Sequence, residues 1–328
     1  MRSATGKKSE FKDFINEMNL VVAHPARIRS RATLPVAEIA RELLNINSHI
    51  REGRFQRTLA LMAGLSSLLA GSEVAYEHYK GSYGQRVMYT PVVLSGALAG
   101  AGVWGFFSRW AAQTVLRAVS IVTLLDSVIG FYFHVRGIQR KPGGWRMPVA
   151  NIIMGPPIFA PLLFGITAYL GLIASFLRRE EDAGLITPLA SSWSADIREG
   201  RFQKHLAVIT ILSTFFSGFE ALYSHYKNNF RYRAQWTPVI IAPLLMAAAA
   251  LSIRNPRAAR TLLPAMSALA IADGAVGFLY HARGVLRRPG GRKLVLYNIL
   301  YGPPLFAPLL FAACGVVGLL ASLMRRER

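Results

Sequence analysis

The sequence predicts an all-α integral membrane protein of eight transmembrane helices, arranged as two parallel four-helix repeats. Three observations predict it. Hydrophobic residues make up 52% of the 328, charged residues 17%, and mean hydropathy is +0.32, a balance rarely met in a soluble chain of this length. Uncharged runs reach the roughly 20 residues needed to cross about 30 Å of hydrocarbon, most clearly at 147–177. The heptapeptide Ile50-Arg-Glu-Gly-Arg-Phe-Gln56 returns unchanged as Ile197-Arg-Glu-Gly-Arg-Phe-Gln203.

The offset of 147 holds without a gap from 50–180 to 197–327, with 57 of 131 positions identical. Self-similarity on that scale implies a duplicated gene. The chain divides into a basic amino-terminal arm (1–49), a first membrane repeat (50–180), a linker (181–196) and a second repeat (197–328). The arm carries Lys7, Lys8, Lys12, Arg27, Arg29 and Arg31 but no short apolar core of the kind a cleavable signal needs.

Expected spans are 57–78, 88–107, 112–135 and 148–177, then 204–225, 235–253, 260–282 and 295–324. The fourth of each set contains Gly155-Pro-Pro-x-Phe-Ala-Pro161 or its copy Gly302 to Pro308. Consecutive prolines remove backbone donors, so a broken or late-starting helix is expected there. Asn151 and Asn298 are expected to cap it. Gly96-Ala-Leu-Ala-Gly100 has the small-xxx-small spacing that lets helices approach closely. An even number of spans per repeat makes the repeats parallel and puts both termini on one side. That side holds 24 of the 38 lysines and arginines against 14 in the opposite loops, so the positive-inside rule predicts cytoplasmic termini in a bacterial inner membrane.

The net charge of +21 would suit a polyanion, but the cations flank spans and no nucleic-acid recognition motif is present. Lipid is the expected partner and nucleic acid is not. Cys314 is the only cysteine, which excludes an intrachain disulfide and cysteine-rich metal motifs. Nucleotide loops, serine-hydrolase elbows and zinc-protease helices are also missing.

Comparison of the two repeats picks out ionisable residues that both keep: Glu73 and Glu220, His78 and His225, Lys80 and Lys227, Asp126 and Asp273, His134 and His281, and Arg136 and Arg283. By contrast, 61–70 and 208–217 share two positions. Ionisable groups inside a span are costly and point to function by default. At 1.5 Å per residue Glu73 lies about 7.5 Å deeper than His78, and Asp126 about 12 Å deeper than His134. The histidines thus form a shallow layer and the carboxylates a deep one, which argues against one ion bound by all four, whose ligands must converge within about 2.0–2.2 Å of it.

A histidine from each of two helices is the arrangement that holds haem b in membrane cytochromes. In that respect the chain resembles a di-haem cytochrome b: His78 with His134 and His225 with His281 as axial ligands, Gly130 and Gly277 admitting a flat macrocycle, and Lys80, Arg136, Lys227 and Arg283 meeting propionates. The expected function is a membrane electron-transfer subunit with two haems b, linking a partner dehydrogenase to quinone, while Glu73, Asp126, Glu220 and Asp273 handle protons. Three alternatives stand beside it: a membrane metalloenzyme with histidines and carboxylates around iron or zinc, a proton- or cation-coupled transporter, and histidines that only satisfy backbone or lipid at the interface.

Overall fold

A computed structural model describes residues 48–182 and 193–326. The basic arm and most of the 181–196 linker lie outside the described residues. All regular elements among the described residues are helical. Six helical stretches are long and apolar enough to cross a bilayer: Gln56–Lys80, Arg86–Phe107, Arg109–Gln139, Gln203–Lys227, Arg233–Arg254 and Pro256–Leu286. Two shorter apolar helices accompany them, Ala160–Ala174 and Ala307–Leu323.

The elements that position the polar residues are α1 (Gln56–Lys80), α2 (Thr90–Phe107), α3 (Arg117–Gln139), α4 (Pro148–Ile153) and α5 (Ala160–Ala174). They are followed by α6 (Gln203–Lys227), α7 (Thr237–Arg254), α8 (Leu262–Arg287), α9 (Val295–Tyr301) and α10 (Ala307–Leu323). Their starts follow from local chemistry. Thr90-Pro91 and Thr237-Pro238 open α2 and α7 with a proline where no donor is needed. After α2, the Ser108 hydroxyl accepts from Ala111 N–H at 3.3 Å. After α7, Asn255 does the same for Arg257 N–H at 2.9 Å, so the exchange of Ser for Asn keeps the cap.

Buried charges near the chain's turning points serve helix ends. The Glu180 carboxylate accepts from Arg57 N–H and Thr58 N–H, both at 2.9 Å, satisfying two orphan donors of α1 at its favourable end. Arg179 donates to the carbonyls of Gly105 (3.2 Å) and Phe106 (3.0 Å), and Arg57 Nε to Phe106 O at 3.0 Å. These guanidiniums close the carbonyl end of α2. Arg326 donates likewise to Ile253 O in α7. The turns at 50–56 and 197–203 meet in the core: Phe55 stacks on Phe202 with centroids 6.3 Å apart. A Cβ on Gly53 would stand 2.7 Å from Gly200 N, and both glycines have positive φ (+71° and +70°), so this contact admits no side chain.

The expected interruption is present in both fourth segments. α4 ends at Ile153 and α5 begins at Ala160; α9 ends at Tyr301 and α10 begins at Ala307. α3 and α8 accommodate the interruption with glycines: a Cβ at Gly137 would lie 3.3 Å from Pro156, and one at Gly284 would lie 3.1 Å from Pro303. Two local expectations change. Asn151 does not cap the helix; its Nδ2 donates back to Pro142 O (3.0 Å) and Gly144 O (2.8 Å), and Asn298 repeats this toward Pro289 and Gly291. The close helix approach is not at Gly96 and Gly100, which have nothing within 4 Å of a built Cβ, but where Gly102 meets Gly64 and Ala60.

Candidate functional site

The interruption of a helix leaves carbonyls without donors before the gap and N–H groups without acceptors after it. The repeated histidines His134 and His281 bind a carbonyl inside the gap, and the repeated glutamates bind an N–H at the start of the helix after it. His134 Nδ1–H donates to Pro157 O at 2.6 Å, and His281 Nδ1–H to Pro304 O at 2.5 Å. A carbonyl can only accept, so the contact places a proton on Nδ1, and in the neutral ring Nε2 is then the lone-pair nitrogen. His78 Nδ1–H donates to Met88 O at 2.7 Å, tying the end of α1 to the loop before α2.

The glutamates reach the other half of the chain. Glu220 on α6 accepts from Phe159 N–H at 2.8 Å, immediately before α5. Glu73 on α1 accepts from Phe306 N–H at 3.1 Å, immediately before α10. Each carboxylate is also bound by the tyrosine one turn on, Tyr223 for Glu220 and Tyr76 for Glu73. A negative group at a helix N-terminus is favoured by the helix dipole and the free N–H groups. The two contacts are reciprocal: α1 holds α10, and α6 holds α5.

The four carboxylates therefore do not form one set. Asp126 sits apart from Glu73: Thr90 Oγ1 contacts its Oδ1 at 2.6 Å, and Asp273 is bonded in the same way to Thr237. His78 lies within electrostatic reach of both Asp126 and His134, so the shallow histidines and the aspartate of the first half share one neighbourhood. In the second half the rings of His225 and His281 are 6.5 Å apart and perpendicular. Among the described residues no group of three or more His, Cys, Asp and Glu side chains is placed to hold a metal ion.

The cations proposed for propionates are variously engaged. Lys80 pairs with Glu77 at 2.6 Å and lies over the Tyr76 ring. Lys227 lies over Tyr223, Arg136 donates to Tyr132 at 3.3 Å, and Arg283 is exposed. The space beside Gly130 and Gly277 is filled by proline: Pro161 and Pro308 lie 3.2 Å and 3.0 Å from the respective built Cβ positions.

The two glutamate contacts differ in their packing. Phe159, beside Glu220, is enclosed by Phe131, Phe215, Phe216 and Phe219 with centroids 4.9–6.2 Å away. Around Phe306 the corresponding positions on α1 are Leu68, Leu69 and Ser72. Beyond it, Tyr79, Lys80, Ser82, Tyr83, Tyr89 and Tyr301 line a cleft of about 350 Å³.

Sequence reasoning missed Thr90 and Thr237 as partners of the aspartates, and the backbone groups of the break as partners of the histidines and glutamates. The threonines carried a usable signal, being identical in both halves; the backbone partners carried none. No family model matches the chain, and no curated protein or solved structure matches it either.

Proposed function

We propose that this chain is a proton- or cation-coupled membrane transporter, built from two parallel four-helix repeats that cross the bilayer eight times. The observation that carries the reading is the reciprocal pair of carboxylates, each binding the start of the shortened helix that follows the break in the opposite half. Discontinuous membrane helices whose ends meet ionisable groups at a repeat interface are how many secondary transporters build coupling sites, and an intramembrane carboxylate is a functional candidate by default.

The chemistry is that of a latch. As carboxylates, Glu73 and Glu220 accept from a backbone N–H and a tyrosine hydroxyl and complement a positive helix end. Protonation removes the charge that the helix end favours and turns one oxygen into a donor, weakening the tie. Proton or cation occupancy thereby biases whether the halves stay closed. The eight-crossing reading is supported by Gln56 N–H donating to Arg178 O at 3.2 Å, which brings the end of the fourth segment back to the start of the first.

The test is flux in proteoliposomes, with an entrapped pH indicator and Na⁺ or K⁺ gradients. The wild-type chain should collapse a pH or cation gradient faster than protein-free vesicles, and the Glu73→Gln, Glu220→Gln double variant should not. Wild-type vesicles as tight as protein-free ones would sink the proposal.

A second reading, the electron-transfer subunit with two haems b serving a partner dehydrogenase and quinone, is favoured by one observation. Two imidazoles on opposite sides of a metal ion, each about 2.0–2.1 Å from it, have ring centres about 6 Å apart; His225 and His281 are at 6.5 Å. A His281 Nδ1–H already given to a carbonyl is the second-shell bond that orients such a ligand. A reduced-minus-oxidised spectrum of the purified protein decides it: absence of Soret and α bands removes this reading. The iron or zinc metalloenzyme has less support, because the described carboxylates and histidines converge only in pairs.

A further inference from the structure

The loop face opposite the termini carries 14 lysines and arginines and one acid, Glu77, and Glu77 is taken up by Lys80. The basic segments 136–146 and 283–293 contain no acidic residue. Arg136, Arg140, Arg146, Arg283, Arg287 and Arg292 are exposed. Lysines from the two halves also gather here: Lys227 lies within electrostatic reach of Lys141 and Lys80, with Glu220 and Glu77 as the carboxylates among them. Large apolar side chains stand among the cations: Trp145 is 45% exposed, Met147 54%, Leu294 51% and Tyr297 55%. Cations mixed with exposed aromatic and aliphatic groups suit the boundary between headgroups and acyl chains more than an acidic protein or nucleic acid.

On the same face lies the 350 Å³ cleft, to which the first half gives Tyr79, Lys80, Ser82, Tyr83 and Tyr89 and the second half gives Tyr301. Its walls offer hydroxyl donors and one ammonium group. Tyr83 is braced there, stacked on Tyr89 at 4.2 Å and donating to Ala75 O at 3.0 Å. Ser82 and Tyr83, both on the cleft wall, have a left-handed backbone (φ +58° and +45°) that Asn229 and Phe230 repeat in the second half, a conformation that non-glycine residues adopt at a cost.

We infer that this face binds anionic phospholipid, with the headgroup phosphate seated in the tyrosine cleft and further headgroups held by the basic segments 136–146 and 283–293. The Tyr79, Tyr89 and Tyr301 hydroxyls and Ser82 donate to the phosphate oxygens, and Lys80 adds an N–H beyond the one it gives Glu77. The arginines of the basic segments supply the charge, and the interleaved apolar side chains meet the acyl chains.

The experiment is native mass spectrometry of the full chain in neutral detergent, titrated separately with phosphatidylglycerol, phosphatidylcholine, inorganic phosphate and a polyglutamate peptide. Phosphatidylglycerol should be retained about fivefold more than phosphatidylcholine. Lys80→Gln with Tyr301→Phe should remove the tightest lipid, and Arg140→Gln, Lys141→Gln, Arg287→Gln and Arg288→Gln together should strip the weaker ones. Equal retention of the two lipids, phosphate binding as tight as phosphatidylglycerol, tighter binding of polyglutamate, or unchanged lipid counts in stably folded variants would overturn the inference. If the variants lose their fold, quenching of Trp145 in the unsubstituted chain, isolated by comparison with Trp145→Phe, replaces them. Brominated phosphatidylglycerol should quench more than brominated phosphatidylcholine, and equal quenching overturns the inference.

Discussion

Thr90 shows what a single hydroxyl does in a membrane protein. Its Oγ1 is 2.6 Å from Asp126 Oδ1 and 2.9 Å from Val87 O, so one side chain serves both a carboxyl on a neighbouring span and the turn that opens α2. Thr90→Val keeps the shape and removes the hydroxyl. The Asp126 carboxyl then loses its side-chain partner, and an unsatisfied polar group of that kind costs about 1–3 kcal/mol. Thr90→Val should therefore unfold at a lower temperature in nanodiscs. Asp126→Asn should lose less, because an amide still pairs with the threonine. Equal melting of Thr90→Val and wild type would mean the bond contributes nothing to stability. The aspartate was legible in the sequence because a charge stands out in an apolar run; the threonine, equally retained between the halves, did not stand out because threonine is unremarkable in a span.

At the scale of elements, the sequence disclosed helices and their interruptions but not which faces touch. Gly155-Pro156-Pro157 marked the break because prolines lack the donors a continuous helix needs. The partners of the freed N–H groups, Glu220 and Glu73, lie 61 and 233 residues away from the groups they bind, and no local pattern encodes such a distance. Glycine spacing misled in a related way. Gly96 and Gly100 fit a packing motif, yet α2 turns them outward and uses Gly102, whose built Cβ would stand 2.5 Å from Ala60 O and 2.9 Å from Gly64 Cα. The face a helix presents is fixed by all its neighbours together, and α2 is held by Arg57 and Arg179 at its carbonyl end. Gly102→Ala should accordingly force α1 and α2 apart and lower the melting temperature. Gly96→Ala should be neutral or stabilising by about 0.5–1 kcal/mol, since alanine costs less helix entropy than glycine. A reversed order in thermal unfolding would place the contact on the Gly96 face after all.

At the scale of the whole molecule, the number of crossings decides how the repeats are related. Three crossings per repeat would invert the second against the first; four make them parallel. The short apolar helices are the ambiguous elements: α5, at 15 residues, spans about 22 Å, less than the roughly 30 Å of hydrocarbon. α4 adds 6 residues, about 9 Å more, and the two together reach across. Contacts at the chain's turning points agree with that reading, since Phe55 stacks on Phe202 and Gly53 abuts Gly200, which brings the starts of α1 and α6 side by side. Cys314 is the only cysteine and is buried, so a Cys314→Ser background gives a clean test. Ser82→Cys and Asn229→Cys should react with a membrane-impermeant maleimide from one side of sealed, oriented vesicles, and Ser108→Cys and Asn255→Cys from the other. With eight crossings, residues 108 and 255 would lie on the side of the termini, the side that the positive-inside rule predicts to be cytoplasmic. Labelling of positions 82 and 229 from opposite sides would require inverted repeats and six crossings. The reciprocal glutamate contacts would then need another geometry, because α1 could not reach the start of α10 while α6 reached the start of α5 at the same depth.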